Sequence, residues 1–261
     1  MLILNKNCSL ADFEKNFKKI GNQIYSWQIK NINKEFIDKK KFKLSADIAS
    51  DNLIKFIIKK YFRKSPILSE ENRYNKTSKN FWLIDPIDGT RSFYNNFKGF
   101  VSQACYISNG EPIYSIIYAP ALKKMWTARL GLGAYLNGKK IKLVEKKKYI
   151  KLVDNYPKPR GIAKLLISRI TNSKYIESGS IGLKACLVAD GTANLFVKDV
   201  DYRDWDIMPA LLTNFEVGKI VCDFDGKLIK VTKSLKKTKG LIVCEKYFFL
   251  QILKIIDEIK K

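Results

Sequence analysis

The chain has 261 residues, 46% of them hydrophobic and 28% charged, a mixture typical of globular proteins that bury a large core. This length fits either one large α/β unit or two fused halves. Histidine is absent, which excludes Ser-His-Asp and Cys-His catalysis, phosphohistidine chemistry and histidine-ligated zinc. Any hydrolysis by this chain must therefore use carboxylates, hydroxyls, lysines and metals.

The formal net charge is +24, and most of the positive charge is lysine distributed along the whole chain. Proteins favour arginine for bidentate recognition of phosphates and bases. The charge therefore predicts a solvated basic surface rather than a nucleic-acid interface, and its field should attract anionic substrates. The alternative from another functional class is a non-catalytic, basic nucleic-acid-binding protein.

The sequence has no feature that predicts export or a membrane span. No run reaches the roughly 18 apolar residues that cross a bilayer. Residues 1–8 have neither the basic region nor the apolar core of a signal peptide. The five cysteines are widely spaced, without C-x-x-C, and are expected to be buried apolar side chains. We expect a cytoplasmic protein.

The first half of the chain predicts two helices followed by a group of strands. Apolar residues at helical spacing indicate helices over residues 9–33, with Ser9 as the N-cap, and 45–62. Strands are expected at residues 67–69, 81–84, 100–108, 112–118 and 124–128. Asn109-Gly110 and Asn137-Gly138 indicate hairpin turns.

The second half predicts alternating helices and strands. Helices are expected at residues 160–170, 181–190, 205–215 and 245–259, and strands at 174–177, 194–197 and 219–222. The lysine run at residues 146–148 is the only candidate boundary. We expect an N-terminal half (1–148) and a C-terminal half (149–261) that form one continuous unit with the site between them.

The segment FWLIDPIDGTR, residues 81–91, begins as a buried strand and ends in two carboxylates. Asp85 stands at the end of the strand, Pro86 is expected to stop the strand, and Asp88 follows the turn. Both carboxylates and the Ile87 carbonyl can then face one pocket. Such hard oxygen ligands select Mg²⁺ or Mn²⁺ rather than zinc. From spacing alone, a solvated turn is the alternative interpretation.

The two residues after Asp88 suit a phosphate group. Gly89 permits close approach of the backbone, and Thr90 can begin a helix whose free N–H groups favour an anion. The segment therefore predicts metal-assisted chemistry on a phosphate ester.

Residues 82–90, WLIDPIDGT, resemble the first signature of the inositol monophosphatase family of magnesium-dependent, lithium-sensitive phosphomonoesterases. Further matches follow in the family's order at Leu44–Asp47, Ser69–Glu71, Gly131–Gly138, Ser178–Ala189 and Trp205–Asp206. Leu44 replaces the Thr of T-x-A-D, and Ser69 replaces the Gly of G-E-E. The resemblance spans roughly residues 40–230. It implies a five-layer α/β/α/β/α sandwich of the inositol monophosphatase / fructose-1,6-bisphosphatase type, often dimeric.

The resemblance implies a magnesium centre with two or three ions, for which Mn²⁺ could substitute. Glu70, Asp85 and the Ile87 carbonyl would hold the first ion. Asp85, Asp88 and Asp206 would hold the second, and Glu70 would share in a weaker third.

Catalytic roles are also implied by the resemblance. Thr90, hydrogen-bonded to Asp47, would orient and help deprotonate the attacking water, with Glu70 acting through its metal. The Gly89–Thr90 backbone would hold the phosphoryl oxygens.

A second phosphate on the substrate would suit Arg91 or Lys184, although Lys184 could simply be exposed. Arg91 resembles the branches that act on 3′(2′),5′-bisphosphate nucleotides or histidinol phosphate, whereas the inositol branch tends to be uncharged there. The segment 179–189 resembles the nucleotidase branch. We rank adenosine 3′,5′-bisphosphate first, inositol 1-phosphate second and histidinol phosphate third. The expected partners are this small anionic ester and a second copy of the chain, without membrane or nucleic acid.

Two features of the C-terminal half bear on this assignment. Pro209 follows the W-D motif, where relatives have small residues, and is expected to lie in the first turn of its helix. Residues 221–228, VCDFDGKL, mimic the nucleophile loop of haloacid-dehalogenase-type phosphatases. Lys227 replaces the usual Thr or Val, and too little chain follows for that fold. A hairpin turn is therefore expected there.

Overall fold

The computed structural model describes residues 2–40, 42–62, 65–72, 78–142, 148–232 and 235–260. Residues 146 and 147 of the expected boundary lie outside these ranges, and the division of the chain at residue 148 stays a prediction. Among the helices in these ranges, none combines the length and hydropathy of a membrane span. All five cysteines are free, and all are buried except the half-buried Cys8.

Two N-terminal helices form as predicted, α1 (Leu10–Lys30) and α2 (Ser45–Tyr61). α1 begins after Ser9, whose hydroxyl oxygen accepts the Asp12 N–H at 3.0 Å, and ends at Asn31 in a left-handed conformation. A short hairpin precedes α2 and was not predicted: β1 (Phe36–Asp38) with β2 (Lys43–Leu44). Its strands are too short to show a period of two.

Seven strands of the described chain form the first sheet, in sequence order. They are β3 (Ile67–Ser69), β4 (Asn80–Asp88), β5 (Val101–Ser108), β6 (Glu111–Ala119), β7 (Lys124–Arg129), β8 (Gly133–Leu136) and β9 (Lys139–Lys140). β3 is parallel to β4, and each later strand is antiparallel to the one before it. The two Asn-Gly turns join β5 to β6 and β8 to β9, as predicted. Between β4 and β5 lies the short helix α3 (Thr90–Tyr94).

The prediction that Pro86 ends its strand was wrong. β4 pairs with β5 through Asp85 opposite Gln103, and the pairing resumes at Asp88 opposite Val101. Proline has no N–H to donate to the ladder, and the resulting bulge absorbs the interruption instead of ending the strand. Asp85 and Asp88 therefore lie on either side of a bulge within one strand.

The second sheet has five strands within the described ranges, in the order β11-β10-β12-β16-β14. These are β10 (Ile150–Asp154), β11 (Ser173–Glu177), β12 (Leu195–Lys198), β14 (Ile220–Cys222) and β16 (Leu241–Cys244). Two further strands pair separately: β13 (Tyr202–Arg203) and β15 (Lys236–Lys237). β11, β12 and β14 were predicted, but β10 and β16 were not. A short apolar run such as LIVC in β16 fits a strand or a buried helical turn equally well.

Four helices of the second half lie close to their predicted positions: α4 (Gly161–Arg169), α5 (Ile181–Ala189), α6 (Asp204–Glu216) and α7 (Phe249–Lys260). The last begins later than expected, because a 3₁₀ turn over Lys246–Phe248 precedes it. Pro209 is the sixth residue of α6 and not in its first turn, because this helix begins at Asp204. The proline therefore removes one backbone hydrogen bond from the helix.

The packing gives the five layers that the resemblance implies. Along β4, Trp82 and Ile84 pack on one face of the first sheet with α1 and α2. Phe81 and Leu83 point to the other face and share a core with α5, α6 and the near face of the second sheet. The far face of the second sheet packs against α4 and α7. The order is helices, sheet, helices, sheet, helices.

The segment that mimics a dehalogenase-type nucleophile loop is a turn, as expected. Cys222 and Leu228 form an antiparallel bridge, and the Asp223 N–H donates to the Lys227 carbonyl at 2.9 Å. The Asp223 carboxylate accepts the N–H groups of Asp225 and Lys227, each at 2.9 Å. Asp223 therefore stabilises its own turn.

Candidate active site

Three carboxylates converge from two distant parts of the chain. Oxygen atoms of Asp85, Asp88 and Asp206 all lie within 4.8 Å of one another. Asp85 and Asp88 are buried on either side of the β4 bulge, and the half-buried Asp206 lies in the first turn of α6. Asp206 is fixed there because its carboxylate accepts the Arg203 N–H at 2.7 Å.

Asp88 is held by the start of α5. Its carboxylate accepts the Gly182 N–H at 2.6 Å and a longer bond of 3.3 Å from the Gln103 side-chain amide. A Cβ on residue 182 would lie 2.8 Å from an Asp88 oxygen and 2.5 Å from a Gln103 oxygen, so a larger residue would push these two side chains aside. Sequence reasoning missed both partners. Ser180 is the N-cap of α5, and the glycine two residues after this cap was the only signal in the sequence.

Glu70 joins this cluster from the end of β3. Its N–H donates to the Ile84 carbonyl at 3.3 Å, and its side chain is hydrogen-bonded to that of Asp85. Glu70 is accessible to solvent, yet enough protein surrounds the carboxylate for desolvation, followed by the charge of Glu71, to raise its pKa to about 7. A hydrogen bond between two carboxyl groups requires a proton on one of them. A cation bound between the two groups would take the place of that proton.

The remaining carboxylates also hold protons more tightly than usual. Burial, followed by the charges of neighbouring carboxylates, raises the pKa of Asp85 and of Asp206 well above the ordinary range. Burial raises the pKa of Asp88 to about 6, against the opposing effect of the Gly182 N–H. One oxygen of Asp85 is buried and has no hydrogen-bond partner. A divalent cation would satisfy this oxygen and neutralise the repulsion, so the residues fit a metal centre.

Thr90 and Asp47 stand beside the cluster. The Thr90 hydroxyl lies 3.3 Å from an Asp47 oxygen and 3.2 Å from the Ile87 carbonyl. The buried Asp47 also accepts the Leu44 N–H at 2.7 Å, at the start of α2. Desolvation raises the pKa of Asp47 to about 7 despite these bonds. The hydrogen bond that the resemblance implied is therefore present.

The backbone turns sharply at Gly89, immediately before α3. Gly89 has a φ of +97°, and a Cβ there would lie 3.0 Å from the Ser180 Cβ. The glycine thus lets α3 begin directly against the start of α5. The N–H groups of Gly89 and Thr90 lie next to Asp88 in the chain.

The two predicted cations differ in their surroundings. Arg91 is exposed, with its guanidinium 4.7 Å from the centre of the Phe42 ring. Lys184 is buried, so the alternative that it is simply exposed was wrong. Its ammonium donates to the Gly179 carbonyl at 2.6 Å and to the Asn155 side chain. Burial lowers the pKa of Lys184 to about 7.

Comparisons with known proteins agree with this site. A model of the inositol monophosphatase family matches residues 19–260. The chain is 31% identical over 181 residues to a fructose-1,6-bisphosphatase/inositol-1-monophosphatase of Thermotoga maritima, covering 68% of each protein. It is 28% identical over 164 residues to a 3′(2′),5′-bisphosphate nucleotidase of Aggregatibacter actinomycetemcomitans, covering 60% of this chain and 61% of the relative.

A solved structure shows the same fold. The Thermotoga maritima inositol monophosphatase superimposes with a TM-score of 0.76 at 25% identity, covering 92% of this chain and 95% of the other. The similarity therefore extends through both sheets.

Proposed function

The chain belongs to the inositol monophosphatase family and is a phosphatase; we propose that it hydrolyses a small phosphate monoester at a magnesium centre. The observation that carries this proposal is the convergence of Asp85, Asp88 and Asp206 within 4.8 Å, with one buried Asp85 oxygen lacking a partner. Buried acids with raised pKa values cluster at functional sites, and carboxylate oxygens are ligands that Mg²⁺ prefers.

The ligands fall into two groups. Glu70, Asp85 and the Ile87 carbonyl would hold one ion, and Asp85, Asp88 and Asp206 a second, with Glu70 free to share a third. When bound, Mg²⁺ supplies a Lewis acid that lowers the pKa of water and neutralises phosphoryl charge. Mn²⁺ has similar ligand preferences and should substitute.

Thr90 and Asp47 would accept the proton of the attacking water. The Thr90 hydroxyl can donate to Asp47 at 3.3 Å while its oxygen accepts from the water. The proton passes from the water to the Thr90 oxygen as the Thr90 proton moves to Asp47. A pKa of about 7 for Asp47 suits a group that accepts a proton near neutral pH.

The phosphoryl group would be positioned by the backbone at Gly89 and Thr90. These N–H groups follow Asp88 in the chain and stand at the start of α3, where backbone donors can bind phosphoryl oxygens. Arg91, exposed on the same short helix, is the cation we propose for a second phosphate. Lys184 is a weaker candidate, because two of its donors are used within the protein.

The preferred substrate we propose is adenosine 3′,5′-bisphosphate, ahead of inositol 1-phosphate and histidinol phosphate. Support comes from the exposed Arg91 and from similarity to a relative named as a bisphosphate nucleotidase. We further propose a homodimer that acts in the cytoplasm and does not bind nucleic acid. The free, mostly buried cysteines suit a reducing compartment.

Phosphate release from these three esters and from fructose 1,6-bisphosphate, with Mg²⁺ or with EDTA, tests the proposal. We expect turnover that requires Mg²⁺ and that falls by at least about 10³-fold in Asp85→Asn. Asp190→Asn is the control, since the Asp190 side chain is only 3% exposed but pairs with Lys124 at 2.9 Å. Metal-independent turnover, or full activity in Asp85→Asn, would contradict the magnesium centre. A strong preference for another ester would overturn only the substrate.

A further inference from the structure

The residue before Glu70 links the metal cluster to α2. Ser69 is fully buried at the end of β3, and its hydroxyl donates to an Asp51 carboxylate oxygen at 2.5 Å. The same hydroxyl oxygen accepts the Glu71 N–H at 3.2 Å. One side chain therefore ties both flanks of Glu70 to the helix behind it.

Asp51 is itself held in place. It is 3% exposed, and its second oxygen forms an ion pair with Lys55 one turn further along α2. Asp51 follows Asp47 by four residues, so both carboxylates lie on the same face of the helix. Asp47 contacts Thr90, and Asp51 contacts Ser69. One helix face thus supports two separate parts of the site.

Besides the pairing of β3 with β4, the described residues give the backbone around Glu70 two further backbone hydrogen bonds. The Glu70 N–H reaches the Ile84 carbonyl at 3.3 Å, and the Asn72 N–H reaches the Ser69 carbonyl at 3.3 Å. Both distances are long for a backbone hydrogen bond, whereas the Ser69–Asp51 bond is short and involves a charge. The Glu71 side chain adds an ion pair with Lys43. Among the hydrogen bonds that the structure describes at this turn, the Ser69–Asp51 bond is the shortest.

We infer that Ser69 and Asp51 are positioning residues that hold the Glu70 carboxylate beside Asp85 for metal binding. The inference rests on the proposed function, because it takes Glu70 as a metal ligand. The Glu70 carboxylate must stay close to the carboxylate of Asp85 despite electrostatic repulsion, so the backbone of Glu70 has to be fixed. The hydrogen bond from the Ser69 hydroxyl to Asp51 supplies this restraint. The G-E-E motif that this segment resembles has glycine here, which offers no such bond.

Metal titrations of Ser69→Ala and Ser69→Gly test the inference. Mn²⁺ binding is followed by its paramagnetic resonance signal, and the concentration of Mg²⁺ required for half-maximal activity is measured in parallel. Loss of an outer support of a ligand typically weakens metal affinity by 10- to 100-fold, so both variants should bind Mn²⁺ at least about 10-fold more weakly. The Mg²⁺ requirement should rise in proportion, while kcat at saturating Mg²⁺ stays within about 2-fold.

Ser115→Ala is the matched control. Ser115 is also fully buried in the first sheet, and its hydroxyl lies 3.4 Å from the Thr213 hydroxyl, away from Glu70. This variant should match the wild-type Mn²⁺ affinity. If Ser69→Ala weakens Mn²⁺ binding no more than Ser115→Ala, or lowers kcat at saturating Mg²⁺ instead, the inference is wrong. If the wild-type protein itself binds no Mn²⁺, the proposed function fails.

Discussion

At the scale of single residues, burial of the acids in the site changes how tightly they bind protons. Asp47 and Asp88 are buried, and desolvation raises their pKa values to about 7 and about 6. In the unfolded chain both groups return to ordinary values near 3.8. The folded, metal-free protein therefore binds these protons more tightly than the unfolded chain does.

This difference sets a pH dependence of stability in EDTA. Between pH 4 and pH 7 the folded state holds more protons, so the free energy of unfolding should fall as the pH rises through this range, by on the order of a few kcal/mol. Mg²⁺ replaces the protons as the neutralising charge, so it should stabilise the protein far more at pH 8 than at pH 5. Urea unfolding in EDTA at pH 4 and pH 7 measures the first effect, and urea unfolding at pH 5 and pH 8 with and without Mg²⁺ measures the second.

Asp47→Asn is the control for this prediction, because an amide does not titrate. The variant should lose part of the decrease in stability between pH 4 and pH 7. Equal stability of the metal-free wild-type protein at pH 4 and pH 7 would show that the buried acids do not carry this proton linkage.

At the scale of elements, a buried side-chain amide from α1 anchors α3. The Gln28 side chain is 2% exposed, and its nitrogen lies 3.2 Å from the Ser92 carbonyl, 3.1 Å from the Phe93 carbonyl and 3.2 Å from the Phe97 carbonyl. A five-residue helix has too few internal hydrogen bonds to be stable alone. Gln28 therefore anchors the element that begins with Thr90.

Replacing Gln28 with Met keeps the volume but removes the donor. The carbonyls of Ser92, Phe93 and Phe97 then lose the Gln28 donor, and we expect a loss of about 1–3 kcal/mol in the free energy of unfolding. Because α3 carries Thr90, kcat should also fall, by roughly 10-fold. Urea unfolding and steady-state kinetics measure the two effects. Gln23→Met, at an exposed position of the same helix, should change neither; a kcat unchanged in Gln28→Met would refute the link to Thr90.

The elements also show where sequence patterns succeed. α1 and α2 are long and amphipathic with recognisable starts, and both lie within a few residues of their predicted bounds. The pattern failed at Pro86, because a bulge can carry a strand past a proline once the neighbouring strand supplies the pairing. It failed at β10 and β16, because strands of four or five residues are too short to show a clear period. These outcomes depend on tertiary partners that local sequence does not contain.

At the scale of the whole molecule, residue spacing alone could indicate the site only where its residues are neighbours in the chain. Asp85, Asp88 and Thr90 lie within one segment, so their chemistry could be inferred from spacing. Asp206 comes from the opposite half and was assigned only through the family resemblance. Gln103 was missed because its role arises from its register opposite Asp85 on the adjacent strand. No local pattern signals such a partner.

The charge of the whole molecule should act on the substrate before it reaches the site. A net charge of +24, carried largely by lysines on a solvated surface, creates a positive field around a centre of buried acids. This field should steer phosphate esters toward the protein, and added salt should screen it. Raising the NaCl concentration from ~20 mM to ~500 mM should lower kcat/KM by on the order of 10-fold, with kcat nearly unchanged.

The decrease of kcat/KM with salt concentration should depend on the charge of the substrate. A bisphosphate carries more negative charge than a monophosphate, so its kcat/KM should fall more steeply with salt when both are measured at saturating Mg²⁺. Because this comparison uses one enzyme and one metal, it separates steering by the lysine-rich surface from any effect of salt on the magnesium centre. Equal slopes for the two substrates would mean that the positive surface takes no part in substrate capture.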